Sequence, residues 1–597
     1  MNTAARIASV HRTNLFARGI GVLTIGLAVF FFLGLTFAAN RGLDYSDEAY
    51  SYLWARYPFE YGFALRLSGF FLHPVEALAQ HSLAGFRLAG MFLTAASGML
   101  VGYAATMEAG RRLGWLERTE IVAACGIAMS LGNIFWMNTP SYQHMTVWGL
   151  ALLLSGFMIL LTRVPASVAR HLAIASLIAG GGLILAFAKI PVAMAAAVLA
   201  VGLVGFAYEA SVAARLRMLA FIVLVEILLL AVVAALVSPS RILELFREGL
   251  ALRDGYGGFQ DILSKHMVDL RHAPTRFIWT LSAAVLSILF TFTATSRRLA
   301  FGKWPLAAGL VLGAIATCAA LIYANPLRPI FNRYDAASHG HHMILLAVAV
   351  LALAGAVYRY RDQEVRRQAG LLAMLIVIAP WIASIGTGGN YLYQTSFYAG
   401  FSGLLIILAN MEMPQSVART ARLLVVLMSG ATLYFAGQHP YRLNGPIAVQ
   451  NTPVVLDGLN GESLLVDGPT AKLFGNLRDA ARAAGLSAGT PLFDLAGFGP
   501  GFNLVLGTKP PGYPWIAGGY PNSPAILDKI WSLTSAAERT RAWVLGPIDK
   551  SFEGAAALGH LVPLDLNYEL ILKTVEPQSG MSIELWRPRN AAAAGKS

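Results

Sequence analysis

Three carboxylates lie close together just after the first long apolar run of the chain. They are Asp44, Asp47 and Glu48 in the stretch GLDYSDEAYSYLWARYP, residues 42–58. A carboxylate here can cap the helix that follows, and partial desolvation can also raise its pKa and make it a better base. A cap needs one acid, so the presence of three favours a chemical role for this stretch.

The composition places these acids in a membrane protein. Hydrophobic residues make up 56% and charged residues 13% of the 597 positions, and the mean hydropathy is +0.59. Apolar runs of about 20 residues recur, which suits helices that satisfy their own backbone hydrogen bonds inside a bilayer. We predict about thirteen spans. They lie near 18–39, 84–106, 120–137, 145–162, 171–188, 191–209, 217–238, 276–295, 305–323, 341–358, 370–386, 398–411 and 421–437.

Basic residues fill every second connection between these spans. The net charge of +13 therefore follows the positive-inside pattern and does not indicate a nucleic-acid partner. The first run, 19–39, is longer than the roughly 7–15 apolar residues of a signal peptide, so we interpret it as an uncleaved helix. We expect a multi-pass protein of a bacterial cytoplasmic membrane, with its N-terminus in the cytoplasm and its C-terminus outside.

After residue 437 the chain becomes markedly less apolar. Strand-like runs such as SLLVDG (463–468) and RAWVLG (541–546) alternate with helical patterns at 470–484 and 522–540. This alternation predicts a small α/β domain. We therefore divide the chain into a transmembrane domain, 1–437, and an extracytoplasmic domain, 438–597.

Two amphipathic patterns follow the acids. In the first, Tyr50, Leu53, Trp54 and Tyr57 recur at helical spacing, and the second is GFALRLSGFFLHPVEAL, 62–78. Both patterns predict helices that lie in the plane of the membrane interface with their aromatic faces toward the lipid.

The order of motifs over the first third of the chain resembles the GT-C glycosyltransferases, in the style of the protein O-mannosyltransferases and of the aminoarabinose transferase that modifies lipid A. Asp47 and Glu48 match the Asp-Glu pair of that family's first external loop. FRLAGMFLTAASGMLVGYAA (86–105) is similar to its second helix, which begins with an Arg-Leu pair. GLILAFAKIPVAMAAAVLAVGL (182–203) is similar to its helix–Lys-Gly-Pro–helix segment, although Ile190 replaces the glycine.

The resemblance implies a polytopic helical membrane enzyme that transfers a sugar, with inversion, from a polyprenyl-phosphate carrier to a lipid, glycan or protein acceptor on the outer face. Nucleotide sugars stay in the cytoplasm, so an external site needs a donor carried across on a lipid. By the family match, Asp47 is the base for the acceptor hydroxyl, and Glu48 orients the acceptor or Asp47. Asp44 is a second acid or a metal ligand.

The departing lipid phosphate needs cations. The candidates are Lys189, Arg87, Arg328 and Arg333. Lys189 is the strongest because it ends an otherwise uncharged helix pair, although a lysine there can also extend its amine to the interface. Polar and aromatic groups at helix mouths are candidates for stacking on the sugar, or for anchoring the helices in the interface. They are Tyr50, Tyr142, His144, Asn390, Tyr391 and Tyr393.

Some alternatives stay open. A divalent metal could bind at the HGHH cluster, which otherwise forms a solvated loop. Its candidate ligands are Asp335, His339, His341 and His342. The rival functions are a transporter or flippase of lipid-linked saccharides, an O-antigen-ligase-like transferase that uses the loop 239–275, and a non-enzymatic assembly subunit. The lack of an internal repeat and the uncharged middles of most spans favour surface chemistry over transport.

Overall fold

The structure is a computed structural model that describes most of the chain. The described residues are 3–62, 64, 66–108, 113–162, 167–208, 210–252, 258, 260–265, 267–268, 363–387, 391–411, 413–495, 499–514, 523–546, 567–578, 580 and 582–589. Within these ranges the side chains of 3–16, 108, 162, 207, 251–252, 363–369, 391–393 and 523–524 are left undescribed.

The membrane part is built of helices, numbered here in chain order over the described residues. They are α1 Thr3–Phe37, α2 Asp47–Arg56, α3 Ser68–Leu78, α4 Leu83–Glu108, α5 Trp115–Ala128, α6 Tyr142–Thr162, α7 Val168–Ala188, α8 Ile190–Gly202, α9 Val212–Leu236, α10 Pro239–Leu252, α11 Gln363–Ala383, α12 Tyr391–Ser396, α13 Gly400–Ala409 and α14 Gln415–Gln438. A 3-10 turn, Met129–Gly132, follows α5, and a π turn, Leu203–Ala207, follows α8.

Six of these helices are long and apolar enough to cross a membrane. They contain the segments Ala17–Phe37, Leu83–Met107, Tyr142–Leu161, Val168–Ala188, Val212–Leu236 and Gln415–Gln438. Shorter apolar helices, Ile190–Phe206, Gly370–Ala383 and Gly400–Ala409, coincide with three more predicted spans. The predicted polytopic helical fold is confirmed. The predicted spans near 276–295, 305–323 and 341–358 lie outside the described residues, so the count of thirteen stays a prediction.

Small residues let the membrane helices approach one another. On α6 and α7 a Cβ added to Gly149 would lie 2.9 Å from the carbonyl oxygen of Gly181, and one added to Gly181 would lie 2.6 Å from that of Gly149. Close backbone approach of this kind is typical of helix pairs in lipid. It packs α6 and α7 tightly.

The aromatic face of helix α2 packs on protein and does not face lipid as predicted. Tyr50, Leu53 and Trp54 are buried, and their rings meet protein. Trp54 packs on Tyr61 with ring centroids 5.6 Å apart, and the Tyr50 hydroxyl lies 2.8 Å from that of Tyr513 in the C-terminal part. The prediction of a lipid-facing aromatic face was wrong for α2, because the same apolar spacing serves equally to bury a helix between protein layers.

The C-terminal part carries two sheets, as predicted for an α/β domain. Its elements are β1 Thr452–Leu456, β2 Glu462–Val466, α15 Gly468–Ala483, β3 Leu492–Asp494, α16 Gly501–Leu506, α17 Ser523–Leu533, α18 Ala536–Arg541, β4 Trp543–Gly546, β5 Tyr568–Val575 and β6 Ser582–Pro588. Strands β1 and β2 pair antiparallel, and the second sheet has the order β3-β4-β6-β5 with only β3 and β4 parallel among its described strands. The domain boundary at residues 437 and 438 stays a prediction.

Candidate active site

The three carboxylates line one pocket near the C-terminal end of α1. The space in and around the pocket, open solvent included, is about 440 Å³, and Arg87 of α4 and Thr139 of the segment before α6 lie in its wall. Glu48 accepts hydrogen bonds from both Arg87 and the hydroxyl of Thr139. The acids Asp44, Asp47 and Glu48, which are close in sequence, therefore meet groups from α4 and from the segment before α6.

Arg87 is fully occupied in holding this pocket together. Its Nε and Nη2 donate to Glu48 Oε1 and Oε2 at 2.7 and 2.6 Å. Nη1 donates to the carbonyls of Ala39 and Arg41 at 2.7 and 3.3 Å, and Nη2 also donates to that of Gly42 at 2.8 Å. A guanidinium has five N–H groups, and these contacts use all five. Arg87 therefore has no free donor for the lipid phosphate, for which the sequence made it a candidate.

Asp44 supplies the helix cap. Its Oδ1 accepts from the amide and hydroxyl of Ser46 at 2.9 and 2.6 Å, and its Oδ2 accepts from the amide of Glu48 at 3.2 Å. The pKa of Asp44 is raised to about 7, first by burial and then by the nearby charge of Asp47, while Arg442 acts in the opposite direction. Asp44 therefore satisfies the start of α2 and leaves the other two acids free of that task.

Asp47 is the carboxylate that remains available to a reactant. Its side chain is 29% exposed to the pocket, and its ionic partner in the described part of the chain is Arg442, at 3.6 Å. Arg442 also donates to the hydroxyl of Ser46. Among the described residues, Asp44 is engaged in capping and Glu48 by Arg87, whereas the carboxylate of Asp47 has the longer contact with Arg442.

Lys189 lies at the break between α7 and α8. Its backbone is extended, with φ −157° and ψ 106°, and Pro191 stands in the first turn of α8, where proline is favoured. The buried amine donates to the carbonyl of Ala383 at 2.7 Å and to the hydroxyl of Tyr398 at 3.1 Å. The break therefore turns a cation inward, although Ile190 replaces the glycine that the family match expects.

A second cation, Arg66, shares an aromatic ring with Lys189. The guanidinium carbon of Arg66 lies 3.5 Å from the centre of the Tyr142 ring, and the amine of Lys189 lies 5.1 Å from it. Neither cation forms a salt bridge to a carboxylate among the residues that the structure describes. Tyr142 follows Ser141 in the chain, and Ser141 lies in the wall of the acidic pocket. Two such cations without acidic partners can bind an anion.

An apolar pocket adjoins the acidic one. Its wall includes Phe32 of α1, Met91 of α4 and Val147 of α6, and the two pockets share Met137 and Asn138. The space in and around it, open solvent included, is about 680 Å³. A polar pocket beside an apolar pocket among membrane helices suits an amphipathic ligand.

The remaining predicted site residues fall into two groups. Tyr50 is buried against Tyr513, and Nδ1 of His144 lies 3.0 Å from the hydroxyl of Ser141, beside the apolar pocket. The others lie outside the described residues, or have undescribed side chains. These are Arg328, Arg333, Asp335, His339, His341, His342, Asn390, Tyr391 and Tyr393. Within the described ranges no three His, Cys, Asp or Glu side chains gather as a metal site.

Sequence reasoning missed Arg66, Tyr398 and Arg442. Arg66 lies in the second amphipathic pattern, where a basic residue is typical of the polar face of a surface helix. Tyr398 and Arg442 are far along the chain from the acids and Lys189. The one sequence signal for Arg66 was that a basic residue lies between predicted outer helices. Several other arginines share this feature, so it does not single out Arg66.

The comparisons with known proteins concern overall architecture. No family model and no curated protein sequence matches the chain. Among solved structures it is similar to the archaeal oligosaccharyltransferase AglB from Archaeoglobus fulgidus, in complex with an inhibitory peptide and a dolichol-phosphate, at 13% identity and a TM-score of 0.44 over 96% of this chain and 74% of that one.

It is also similar to ArnT from Cupriavidus metallidurans. For the apo state the identity is 13% and the TM-score 0.39, and for the form bound to undecaprenyl phosphate they are 12% and 0.40. Each match covers 95% of this chain and 97% of ArnT. At identities of 12–13%, the chemistry has to be inferred from the residues of the site. AglB and ArnT belong to the group of proteins that the sequence motifs resemble.

Proposed function

We propose that this protein is a membrane glycosyltransferase that transfers a sugar from a polyprenyl-phosphate carrier to an acceptor hydroxyl. The observation that carries the proposal is the arrangement of Asp47, Arg66 and Lys189. Asp47 lines the acidic pocket, and Arg442 is its ionic partner among the described residues, at 3.6 Å. Arg66 and Lys189 share the ring of Tyr142, which follows pocket residue Ser141 in the chain, and neither forms a salt bridge among the described residues. Inverting sugar transfer from a phosphate needs a base on one side and positive charge on the other.

The proposed reaction is a single displacement. Asp47 accepts the proton of the acceptor hydroxyl, whose oxygen forms a bond to the anomeric carbon of the sugar. The bond between that carbon and the phosphate oxygen breaks, and its electron pair leaves with the lipid phosphate. Arg66 and Lys189 stabilise this negative charge with charge-assisted hydrogen bonds. Attack opposite the leaving group inverts the anomeric centre.

The other residues of the site hold the reacting groups in place. Arg87 clamps Glu48, and Asp44 caps α2, so the helix that carries Asp47 is held at its first turn. The adjoining apolar pocket offers room for the hydrocarbon of an amphipathic substrate. Dolichol-phosphate and undecaprenyl phosphate, which are named with two of the structural neighbours, belong to the same class of lipid phosphate.

Mass spectrometry of the envelope tests this function. We expect one lipid, glycan or protein species to lose the mass of one sugar in a strain lacking the gene. The wild-type gene should restore that mass, and an Asp47→Asn gene expressed at the same level should not. An unchanged envelope, with lipid-linked saccharide retained on the cytoplasmic side, would contradict sugar transfer and favour the transport alternative.

A further inference from the structure

Strand β2 of the C-terminal part pairs with the loop that leaves α1. The amide of Leu465 donates to the carbonyl of Asn40 at 2.9 Å, and the carbonyl of Leu465 accepts from the amide of Gly42 at 2.7 Å. Arg41 and Leu465 thus form a parallel bridge beside the β1–β2 pair. These two hydrogen bonds hold the backbone that leads directly to Asp44 against strand β2.

The same strand caps a membrane helix. Glu462, the first residue of β2, accepts from the amides of Leu83 and Ala84 at 2.7 and 3.1 Å and from the hydroxyl of Ser82 at 2.8 Å. Ser82 in turn accepts from the amide of Gly85 at 2.9 Å. The first N–H groups of a helix have no partner inside it, and a carboxylate at this end is stabilised by the helix dipole. Glu462 therefore ties the start of α4 to the C-terminal sheet.

These two attachments meet at Arg87. This residue lies one helical turn after Leu83, and it donates to three carbonyls of residues 39–42 and to both oxygens of Glu48. A five-residue strand therefore holds both of the elements that Arg87 joins. Because Glu48 and Asp47 are neighbours in the first turn of α2, a shift between the loop and α4 would move the carboxylate of Asp47.

A second attachment supports the loop from the other flank. The hydroxyl of Tyr45 donates to Oε1 of buried Glu576 at 3.0 Å, and its ring packs on Phe474 and Phe502. The amide of Gly501 donates to the carbonyl of Tyr45 at 2.7 Å, and a Cβ on Gly501 would collide with Tyr45. The loop between α1 and α2 is thus held by the C-terminal part on both sides.

We propose that the C-terminal domain positions the acidic site, with Glu462 as the positioning residue. Glu462 and the backbone of Leu465 set the register between the loop 39–42 and α4, and this register places Arg87 on Glu48 and Asp47 toward the substrate. The inference rests on the proposed function for its catalytic meaning. The C-terminal domain then helps to set the positions of the active-site residues.

The test is a graded series at Glu462 with a matched control in the full-length purified protein. We expect turnover to fall moderately in Glu462→Gln, which keeps one acceptor oxygen, and by about 10- to 100-fold in Glu462→Ala. Undecaprenyl phosphate should bind with unchanged affinity, because Arg66 and Lys189 are untouched. Glu569→Gln, which removes a surface carboxylate paired with Arg587 in the same domain, should leave turnover and binding as in the wild type.

Hydrogen–deuterium exchange gives a readout that does not depend on activity. In Glu462→Ala we expect faster exchange both at residues 83–86 and at 40–48, with a melting temperature close to wild type. Faster exchange confined to 83–86, with unchanged turnover, would reduce Glu462 to an ordinary helix cap and overturn the inference. If the wild type transfers no sugar, the proposed function fails, while exchange at 40–48 still decides whether the domain positions the loop.

Discussion

The guanidinium of Arg87 holds the carboxylate of Glu48 through two hydrogen bonds of 2.7 and 2.6 Å, and the same guanidinium closes on the backbone of the loop before α2. One side chain thus joins three pieces of the site: α4, the loop and α2. The pair is nearly enclosed, because the side chains of Arg87 and Glu48 are 4% and 12% exposed. This enclosure makes the pair sensitive to the loss of either partner.

Removing Arg87 should therefore destabilise the fold as well as the site. We expect Arg87→Ala to cost about 3–5 kcal/mol, because Glu48 is left as an uncompensated and largely buried charge. Arg87→Lys should recover part of this loss, since it restores the charge but cannot form the planar fork. Thermal unfolding of the purified variants measures both. Equal melting temperatures for Arg87→Ala and the wild type would contradict the assigned geometry.

Replacing Asp47 should affect chemistry far more than stability. Asp47→Asn keeps the shape and cannot accept the proton, so we expect turnover to fall by about 10²–10⁴-fold. The melting temperature and the affinity for undecaprenyl phosphate should stay near wild type. The matched variant is Asp44→Ala, which should instead lose about 1 kcal/mol of stability as a cap is removed. If Asp47→Asn stays within a few-fold of wild-type turnover, Asp47 is not the base.

The cations should govern binding of the lipid phosphate. Arg66→Ala and Lys189→Ala each remove a charge-assisted hydrogen bond worth roughly 1.5–3 kcal/mol, so undecaprenyl phosphate should bind about 10- to 100-fold more weakly. Arg215→Ala is the control, because Arg215 donates to the carbonyls of Gly205 and Tyr208 in the π turn after α8. If the affinity is unchanged in both test variants, Lys189 does not bind the phosphate. Its hydrogen bonds to Tyr398 and Ala383 would then be purely structural.

Asp44 should make stability depend on pH in an unusual direction. Burial raises its pKa from 3.8 to about 7 in the folded protein, whereas the unfolded chain keeps the ordinary value. Between these two values the folded state binds more protons than the unfolded state, so this group's contribution to stability falls as the pH rises from 4 to 7. Melting temperatures across this range should decline less in Asp44→Asn than in the wild type. Parallel curves for the two proteins would contradict the raised pKa.

Membrane topology can be mapped by labelling single cysteines from either side, in a background without Cys125 and Cys318. We expect labelling from outside at residues 40–83 and 438–597, and from the cytoplasm at YRYRDQEVRRQ, 358–368. The pattern of basic loops is the reason for this orientation. Labelling of the C-terminal domain from the cytoplasm would reverse the topology and remove the argument for a lipid-linked donor.

The sequence by itself determined the class of fold and the position of the acids. Apolar runs of the right length predict membrane helices, because a helix in lipid has no other way to satisfy its backbone. The alternation of strand-like and helical patterns likewise predicted sheets after α14. Asp44, Asp47, Glu48 and Lys189 were identified from features that act over a few residues, namely a group of acids and a proline-marked break between helices.

Only the tertiary structure decided which contacts these residues make. Helical spacing on α2 predicted contact with lipid, but its aromatic face packs on protein, because a periodic pattern shows that one face is buried and does not show what buries it. The sequence made Arg87 a candidate for binding the lipid phosphate, but in the structure all five of its N–H groups donate to other protein atoms. The contacts of Glu462 with α4 and of Arg442 with Asp47 join residues far apart in the chain. Pairing at that separation depends on how the helices and the C-terminal sheet pack. The spacing of residues within a short stretch of sequence does not predict it.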